Sequence, residues 1–325
     1  MEWIMRKERW GKKYKDKRKW REYNEKLIAR GEAYISLDFI ETQDKDLEKL
    51  NRGKVGAPYV YPECLMVFLA YLHLLLNIDY RGLKGFLRGL SRLIRFDVPD
   101  YTTICRRVNK VAIEIKKTLI SYKDKEVVVY LDSSGAKVTN RGEWMRQKWK
   151  VRRGWIKVHI AVDDQNKQVV GIEATDESIS DTKEFKNLVG QSVENVEDKG
   201  GEVVQASADG AYDANDNFEF LEAHNIIPAI KIRKNEGPTY RSKNPRKGYA
   251  REFRELGYVG WRDKYKYGRR WYAESTFSAV KRKFGEFVRA TKVKNMFNEI
   301  KLKYILYNAI LKYDVTHTSF FASLV

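Results

Sequence analysis

Three acidic residues stand where a folded chain could bring their carboxylates together: Asp132, Asp209 and Glu274. Asp132 ends the apolar run VVVYLD (127–132), and Asp209 ends the run EVVQASAD (202–209). Each run predicts a buried strand that delivers its acid at the carboxyl end. If the two strands are parallel and adjacent, both acids open onto one sheet edge, where open α/β sheets place their sites.

The third acid lies in the stretch YGRRWYAESTFSAVKRKFGE (267–286), which has the periodicity of an amphipathic helix. At about 100° per residue, the polar members of this helix share an arc of about 60°. They are Tyr267, Arg270, Glu274 and Lys281, and the apolar stripe beside them is Ala273, Phe277, Val280 and Phe284. Such a helix suits one wall of an active site, although an exposed helix with incidental ion pairs would show the same pattern.

Carboxylates that converge repel each other strongly unless a cation lies among them. Oxygen ligands without His or Cys favour Mg²⁺ or Mn²⁺. Two such ions about 4 Å apart can activate a water or hydroxyl and stabilise the departing oxygen of a phosphodiester. The three acids are therefore expected to hold two Mg²⁺ ions, for which Mn²⁺ can substitute. For a single strand-end aspartate, turn capping is the commoner alternative.

The charge of the chain points to a polyanionic partner. The 325 residues carry a formal net charge of +19, which predicts strong positive surface potential and, most simply, nucleic acid binding. The segment 137–157 interleaves eight Lys/Arg with three tryptophans. It fits a nucleic-acid-facing loop or ribbon that includes Lys148, Arg152 and Arg153. The alternative is a basic protein with only non-specific affinity for polyanions.

The first part of the sequence predicts helices. Residues 1–30 are basic, with interleaved tryptophans, and fit either an arm on a phosphate backbone or a solvated helix. Helices are expected over 62–77, over 81–95 and within 97–117, the last capped by Asp100 or Thr102 and carrying Arg106 and Arg107. Together they resemble a helix-turn-helix module whose last helix enters the major groove, although a plain helical lobe is possible.

The second part predicts a mixed sheet flanked by helices. The expected elements are a hairpin over 157–175, a helix over 182–193, a helix over 214–224, a strand over 226–233 and a closing helix over 295–313. Asp181 and Asp213 are predicted to cap the first two helices, with Asp181 a weaker candidate for an auxiliary acid, and His159 is expected to be structural. Residues 231–271 are predicted to be mostly an irregular basic segment.

The remaining composition bears on location. Cys64 and Cys105 lack metal-binding or redox spacing and are expected to be reduced core residues of a cytosolic protein. No signal peptide is visible, and the longest apolar run, 64–76, is too short to span a bilayer. We therefore expect no membrane association.

Several motifs, in order, resemble the DDE-type transposases of bacterial and archaeal insertion sequences. The signature Y-x2-R-x3-E-x6-K of one such group is matched by Tyr267, Arg270, Glu274 and Lys281. The motifs of the first and second acids are matched by LDSSG (131–135) and DGAYD (209–213), and WIKVHIAVD (155–163) resembles the hairpin of the family. The similarity covers roughly residues 60–310, and residues 1–50 match none of these motifs.

This resemblance implies a ribonuclease-H-like α/β catalytic domain over 123–313, preceded by an all-α DNA-binding region over 1–122 and followed by a tail over 314–325. It implies that Asp132, Asp209 and Glu274 are the catalytic acids and metal ligands. Arg270 and Lys281 would hold DNA phosphates, and Tyr267 would support the site by stacking or by a phosphate hydrogen bond.

The implied activity is hydrolysis at the terminal inverted repeats of an insertion sequence, followed by joining of the freed 3′-hydroxyl to target DNA. Double-stranded DNA would be the partner, a homodimer the synaptic form, and the prokaryotic nucleoid in the cytoplasm the location. Two alternatives stay open. One is a metal-dependent nuclease or resolvase on the same core, and the other is an inactive, transposase-derived DNA-binding protein.

Overall fold

The structure is a computed structural model. It describes residues 8–9, 12–13, 19–34, 36–94, 96–138, 147–148, 155–233, 244–316 and 320–324. The predicted DNA contacts Arg152 and Arg153 lie outside these residues. Within them, no single helix is long and apolar enough to cross a membrane. Two consecutive helices reach that length and composition only jointly, and the break between them is bent by 119°.

A mixed sheet forms the centre of the second half of the chain. Its strands are β3 (Lys125–Val138), β4 (Ile156–Asp163), β5 (Val169–Asp176), β6 (Gly201–Ala208), β7 (Ile227–Ile230) and β8 (Phe287–Val288); β1 (Glu8–Arg9) and β2 (Lys12–Lys13) form a separate two-stranded pair. The strand order is β5-β4-β3-β6-β7, with β8 beside the far end of β3. β4 is antiparallel to β3 and β5, whereas β6 is parallel to β3 and β7.

Helices cover both faces of this sheet, which confirms the predicted mixed α/β architecture. They are α1 (Trp20–Tyr34), α2 (Phe39–Asn51), α3 (Glu63–Leu75), α4 (Tyr80–Leu90), α5 (Tyr101–Val108), α6 (Ile115–Thr118), α7 (Asp181–Glu197), α8 (Asn215–Ala223), α9 (Arg246–Lys264), α10 (Trp271–Phe284) and α11 (Val293–Thr316). The hairpin β4–β5 and the closing helix α11 are where the sequence places them.

The two faces of the sheet bury separate apolar cores because successive side chains of a strand point to opposite sides. On one face, Ile160 of β4 belongs to a core shared with α2–α5, α10 and α11. On the other face, its neighbour Ala161 belongs to a core shared with α7–α9. Phe321, near the chain end, packs edge-on against Phe68 of α3 with ring centroids 5.1 Å apart. The first core therefore unites elements on both sides of residue 122.

Several predicted boundaries were wrong. Asp132 does not end its strand, because β3 continues to Val138 and is paired there by β4 and β8. The segment 231–271, expected to be mostly irregular, contains the helix α9, which is kinked at Gly257, where φ is +63°. Glycine adopts such a φ without strain, so the kink falls at a residue that tolerates it.

The predicted caps had mixed outcomes. Asp100 caps α5 by accepting the Thr102 N–H at 3.0 Å, as expected. Asp181 and Asp213 do not cap α7 and α8, whose N-cap positions are Ser180 and Ala214. The side chains of Asp181 and Asp213 bind cations from other elements instead.

Candidate active site

Asp132 and Asp209 lie at the same level of adjacent parallel strands. The β3–β6 pairing sets Tyr130 beside Ser207, so each acid follows two residues later. Asp132 is still in β3, which β4 pairs on the other side through Ile160. The prediction that the two strands are parallel and adjacent, with their acids side by side, is therefore confirmed, but only Asp209 follows the end of its strand.

Arg270 links the first acid to the third. Its Nη1 atom lies 2.9 Å from Asp132 Oδ2, and its Nη2 atom lies 2.8 Å from Glu274 Oε1. The predicted helix is broken here, because residues 267–270 form a 3-10 turn before α10 begins at Trp271. The predicted stripe is nevertheless buried, as shown by Ala273.

The three acids share one electrostatic environment. Burial raises the pKa of the Asp132 carboxyl above its ordinary value; Arg270 opposes this rise, and the negative charges of Asp209 and Glu274 add to it. Asp209 accepts the Ala211 N–H at 2.8 Å and so caps the 3-10 turn that follows β6. The guanidinium of Arg270 thus supplies the positive charge that converging carboxylates require.

An open cleft of about 560 Å³ lies over this group. It is lined by Asp132, Ser133, Ser134, Glu274, Phe277, Ser278, Lys281, Arg282 and Glu286. Lys281 Nζ donates a hydrogen bond to Ser134 Oγ at 2.8 Å and so ties α10 to β3. The cleft combines two acids of the predicted trio with two cations of α10.

The donor set fits Mg²⁺ or Mn²⁺, since Asp132, Asp209 and Glu274 offer only carboxylate oxygens. In the part of the chain that the structure describes, no three His, Cys, Asp or Glu side chains are grouped closely enough to hold a metal ion. Arg270 holds one oxygen of Asp132 and one of Glu274 in this structure. A divalent ion would compete with this guanidinium for the same negative charge.

Asp181 lies in a second polar cluster beside the site. Its Oδ1 atom is 2.9 Å from Lys157 Nζ and 3.3 Å from Nδ1 of the buried His159. The His159 Nε2 atom lies 3.0 Å from Thr175 Oγ1, so the ring spans α7 and β5 as the predicted structural residue. Burial alone would raise the pKa of Asp181, but hydrogen bonds from His159, Ser133 and Lys157 hold it below the ordinary value.

We expect Asp181→Asn to lower the free energy of unfolding by about 1–3 kcal/mol at pH 7, because Lys157 and His159 lose their anion. A carboxyl whose pKa is depressed stabilises the fold above its unfolded-state value, near 3.8, and loses that contribution as pH falls through the folded-state value. The difference in free energy of unfolding between the wild type and the variant should therefore narrow below about pH 4 in urea titrations. Asp198→Asn, which changes an exposed acid paired with Lys199, is the control and should have the smaller effect. A gap that widens at low pH would contradict this account.

Behind Asp209, the motif DGAYD ends in a buried ion pair. Arg246 donates from Nε and Nη2 to the two oxygens of Asp213, at 2.5 and 2.7 Å. Asp213 also accepts the Arg233 N–H at 2.8 Å. This pair fixes α9 against the turn that carries Asp209, so Asp213 has an anchoring position rather than a capping one.

The other predicted DNA contacts lie in different surroundings. Tyr267 is buried, with its ring centroid 4.8 Å from that of Trp261, which fits the supporting role better than direct contact with DNA. Arg107 is 2.6 Å from Glu63 Oε2 and also donates to a backbone carbonyl. Arg106 and Lys148 are exposed.

Sequence reasoning missed Ser134, Lys157 and Arg246. Ser134 lies in the LDSSG motif, so its place beside Asp132 was a usable signal. Nothing local marks Lys157 or Arg246, since their partners are 24 and 33 residues away.

Comparison with known proteins settles the family. Residues 123–309, more than half of the chain, match the family described as "Transposase DDE domain". Residues 28–141 match a second family with the same description. This chain belongs to the DDE transposase family. The order of its central strands is the ribonuclease-H-like one that the motifs implied.

The chain is also similar to the solved piggyBac transposase, whose structure is titled as a cryo-EM synaptic complex with hairpin DNA. The identity is 9%, the TM-score is 0.39, and the similarity covers 92% of this chain and 78% of that one. A TM-score of this size establishes no common fold, so the assignment of this DDE transposase rests on the family matches.

Proposed function

We propose that this DDE transposase binds the terminal inverted repeats of an insertion sequence, cleaves its ends by metal-dependent hydrolysis and joins the freed 3′-hydroxyl to target DNA. The observation that carries the proposal is the link from Asp132 through Arg270 to Glu274 at an open cleft, with Asp209 on the adjacent strand. Such a group of acids needs a cation, and a phosphodiester substrate brings the negative charge that Lys281 and Arg282 can meet.

Each residue then has a chemical role. Asp132, Asp209 and Glu274 hold the divalent ions, which when bound supply Lewis acidity towards the scissile phosphate and its attacking oxygen. Arg270 neutralises the acids when the divalent ions are absent. Once the ions are bound, its planar guanidinium suits contact with a phosphate. Lys281, anchored on Ser134, presents a second cation to the DNA strand.

Two displacements at phosphorus account for the activity. In the first, a water oxygen bonds to the scissile phosphorus and the 3′-oxygen leaves with a proton as a hydroxyl. In the second, that hydroxyl loses its proton and its oxygen bonds to a target phosphorus, while the displaced 3′-oxygen of the target strand takes up a proton and leaves as a hydroxyl. Neither step requires a covalent protein–DNA intermediate, so no Ser or Tyr nucleophile is needed.

Cutting both ends together calls for at least a dimer, and the site of action would be the nucleoid.

The DNA that flanks the gene is first inspected for short inverted repeats bounded by a direct duplication. These repeats are the substrates of the decisive experiment. The full chain is incubated with Mg²⁺ and duplexes that carry an intact or a pre-cut repeat, together with a target plasmid. The proposal expects cleavage of the intact repeat and insertion of the pre-cut one. Cutting without joining would identify a nuclease or resolvase, and binding without either reaction would identify an inactive descendant.

Lys281→Gln should weaken DNA binding at every sequence and reduce the slope of log K against log salt by about 1, because one phosphate contact is lost. Fluorescence anisotropy with labelled duplexes at several NaCl concentrations measures both quantities. The control is Lys283→Gln on the same helix, where the amine contacts Tyr34 and does not line the cleft. An unchanged slope for Lys281→Gln would remove this residue from the proposed contacts.

A further inference from the structure

A second basic concavity lies apart from the acids, between α5 and the segment that joins α10 to α11. Its volume is about 590 Å³. The residues that line it are His73, Asp79, Tyr80, Cys105, Arg106, Asn109, Lys110, Arg289, Ala290, Thr291, Lys292 and Asn295, and we call it the α5 groove. It carries four cations and a single carboxylate, and that carboxylate, Asp79, already accepts the Gly82 N–H as the cap of α4.

Three of these cations are exposed: Arg106, Lys110 and Lys292. Across the residues that the structure describes, none of the three makes an ion pair with a carboxylate. The fourth, Arg289, is fixed by hydrogen bonds to the carbonyls of His73 (2.6 Å) and Asn77 (3.2 Å). Like charges gathered without internal partners repel each other, so this arrangement is most stable with an external anion.

The α5 groove and the active-site cleft are joined by a short, rigid piece of chain. Glu286 lines the cleft, Phe287 and Val288 form β8, and Arg289 lines the groove. The extended backbone between Glu286 and Arg289 spans about 10 Å. The two concavities are therefore neighbours on one continuous segment.

Two buried side chains of α11 hold this segment in place. Glu299 accepts the N–H groups of Arg289 and Ala290 at 3.0 and 2.8 Å. Lys303, only 4% exposed, donates to the carbonyl of Phe287 at 2.6 Å. Buried charges are costly unless they have partners. Here the partners of Glu299 and Lys303 are backbone groups of this segment, which indicates that the position of the segment matters.

We propose that the α5 groove binds the phosphate backbone of the DNA duplex whose end occupies the active-site cleft, with Arg106, Lys110 and Lys292 as the contacts. The inference rests on the proposed function and adds to it a second anchoring point for the substrate. In this proposal, α5 contacts phosphates, which positions the duplex. It does not read base edges, the contacts that specify a DNA sequence. Arg107, the other predicted base reader, is held by Glu63.

The spacing of the two concavities predicts where the contact falls on DNA. Val288 of β8 pairs with Val138, six residues beyond Asp132 on β3, so the α5 groove begins about 20 Å from the acids. One strand advances about 3.4 Å per nucleotide along the helix axis, so this span corresponds to about six nucleotides. Ethylation of phosphates about six nucleotides from the cleaved bond should therefore interfere with binding of the wild-type chain.

The test is the triple variant Arg106→Gln, Lys110→Gln and Lys292→Gln of the full chain, with binding measured in EDTA so that no DNA is cut. Two labelled duplexes are used, one with the terminal repeat and one with its scrambled sequence. Affinity for both should fall at least about tenfold at 0.1 M salt, and the salt slope should drop by about 3. The matched control is Lys183→Gln, Lys186→Gln and Arg254→Gln, which removes three exposed cations from helices on the opposite face of the sheet.

The outcomes distinguish failure of this inference from failure of the proposed function. If the wild type neither binds nor cleaves the repeat, the proposed function has failed and the inference falls with it. If the wild type binds and cleaves but the groove variant binds like the control variant, only the inference is overturned. It is also overturned if the variant loses the preference for the repeat while its affinity for scrambled DNA is unchanged, since α5 would then read bases.

Discussion

Replacing Glu274 by Gln should lower the rate of Mg²⁺-dependent cleavage by about 10³-fold or more while leaving DNA affinity nearly unchanged. The amide keeps the shape of the side chain but removes the negative charge that a divalent ion needs from this position. Little stability should be lost, because Glu274 is largely exposed and its ion pair with Arg270 lies at the protein surface. Single-turnover cleavage of a terminal-repeat duplex, with binding measured in parallel, gives both quantities.

The matched control is Glu286→Gln. Glu286 lines the same cleft, but its carboxylate is 3.2 Å from Lys137 and belongs to no motif of the three acids. This variant should cleave within a few-fold of the wild type. Full cleavage by Glu274→Gln would remove Glu274 from the catalytic role. Equal losses in both variants would show that overall negative charge in the cleft, and not one ligand, is what matters.

Asp213→Asn should lower the free energy of unfolding by about 3–5 kcal/mol, the usual result of removing one partner of a buried ion pair. Asp213 is fully buried and Arg246 nearly so, which leaves the guanidinium without a counter-charge in the variant. Because the pair holds α9 against the turn after Asp209, cleavage should fall as well, even where the protein is still folded. Urea denaturation followed by tryptophan fluorescence measures the change in stability.

The surface pair of Lys264 and Glu252 provides the comparison. Its N–O distance is the same 2.5 Å, but the lysine is 55% exposed, so Lys264→Met should cost no more than about 1 kcal/mol. A second comparison is the double variant Asp213→Asn with Arg246→Leu, which removes the stranded charge and should recover part of the loss. A change below about 1 kcal/mol for Asp213→Asn alone would mean that the pair does not stabilise this fold.

Elements whose pattern is local could be predicted from the sequence. The β-branched run that leads to Asp132 predicted a buried strand, and the stripe that includes Phe277 and Val280 predicted the inner face of α10. The Y-x2-R-x3-E-x6-K spacing then placed Arg270 and Glu274 one turn apart, close enough for the contact that the structure shows. The periodicity of a helix or a strand can be read from the sequence because it depends only on residues that are close to each other along the chain.

Which charges pair with each other depends on the packing of distant segments. A buried carboxylate is stable beside whichever cation the fold brings to it, and that cation can come from any distance along the chain. Asp213 therefore pairs with Arg246 and Asp181 with Lys157, where local patterns favoured helix caps. Likewise, β3 extends past Asp132 because β8, more than 140 residues later, pairs with its end. Packing between distant segments set these partners, and no local pattern encodes them.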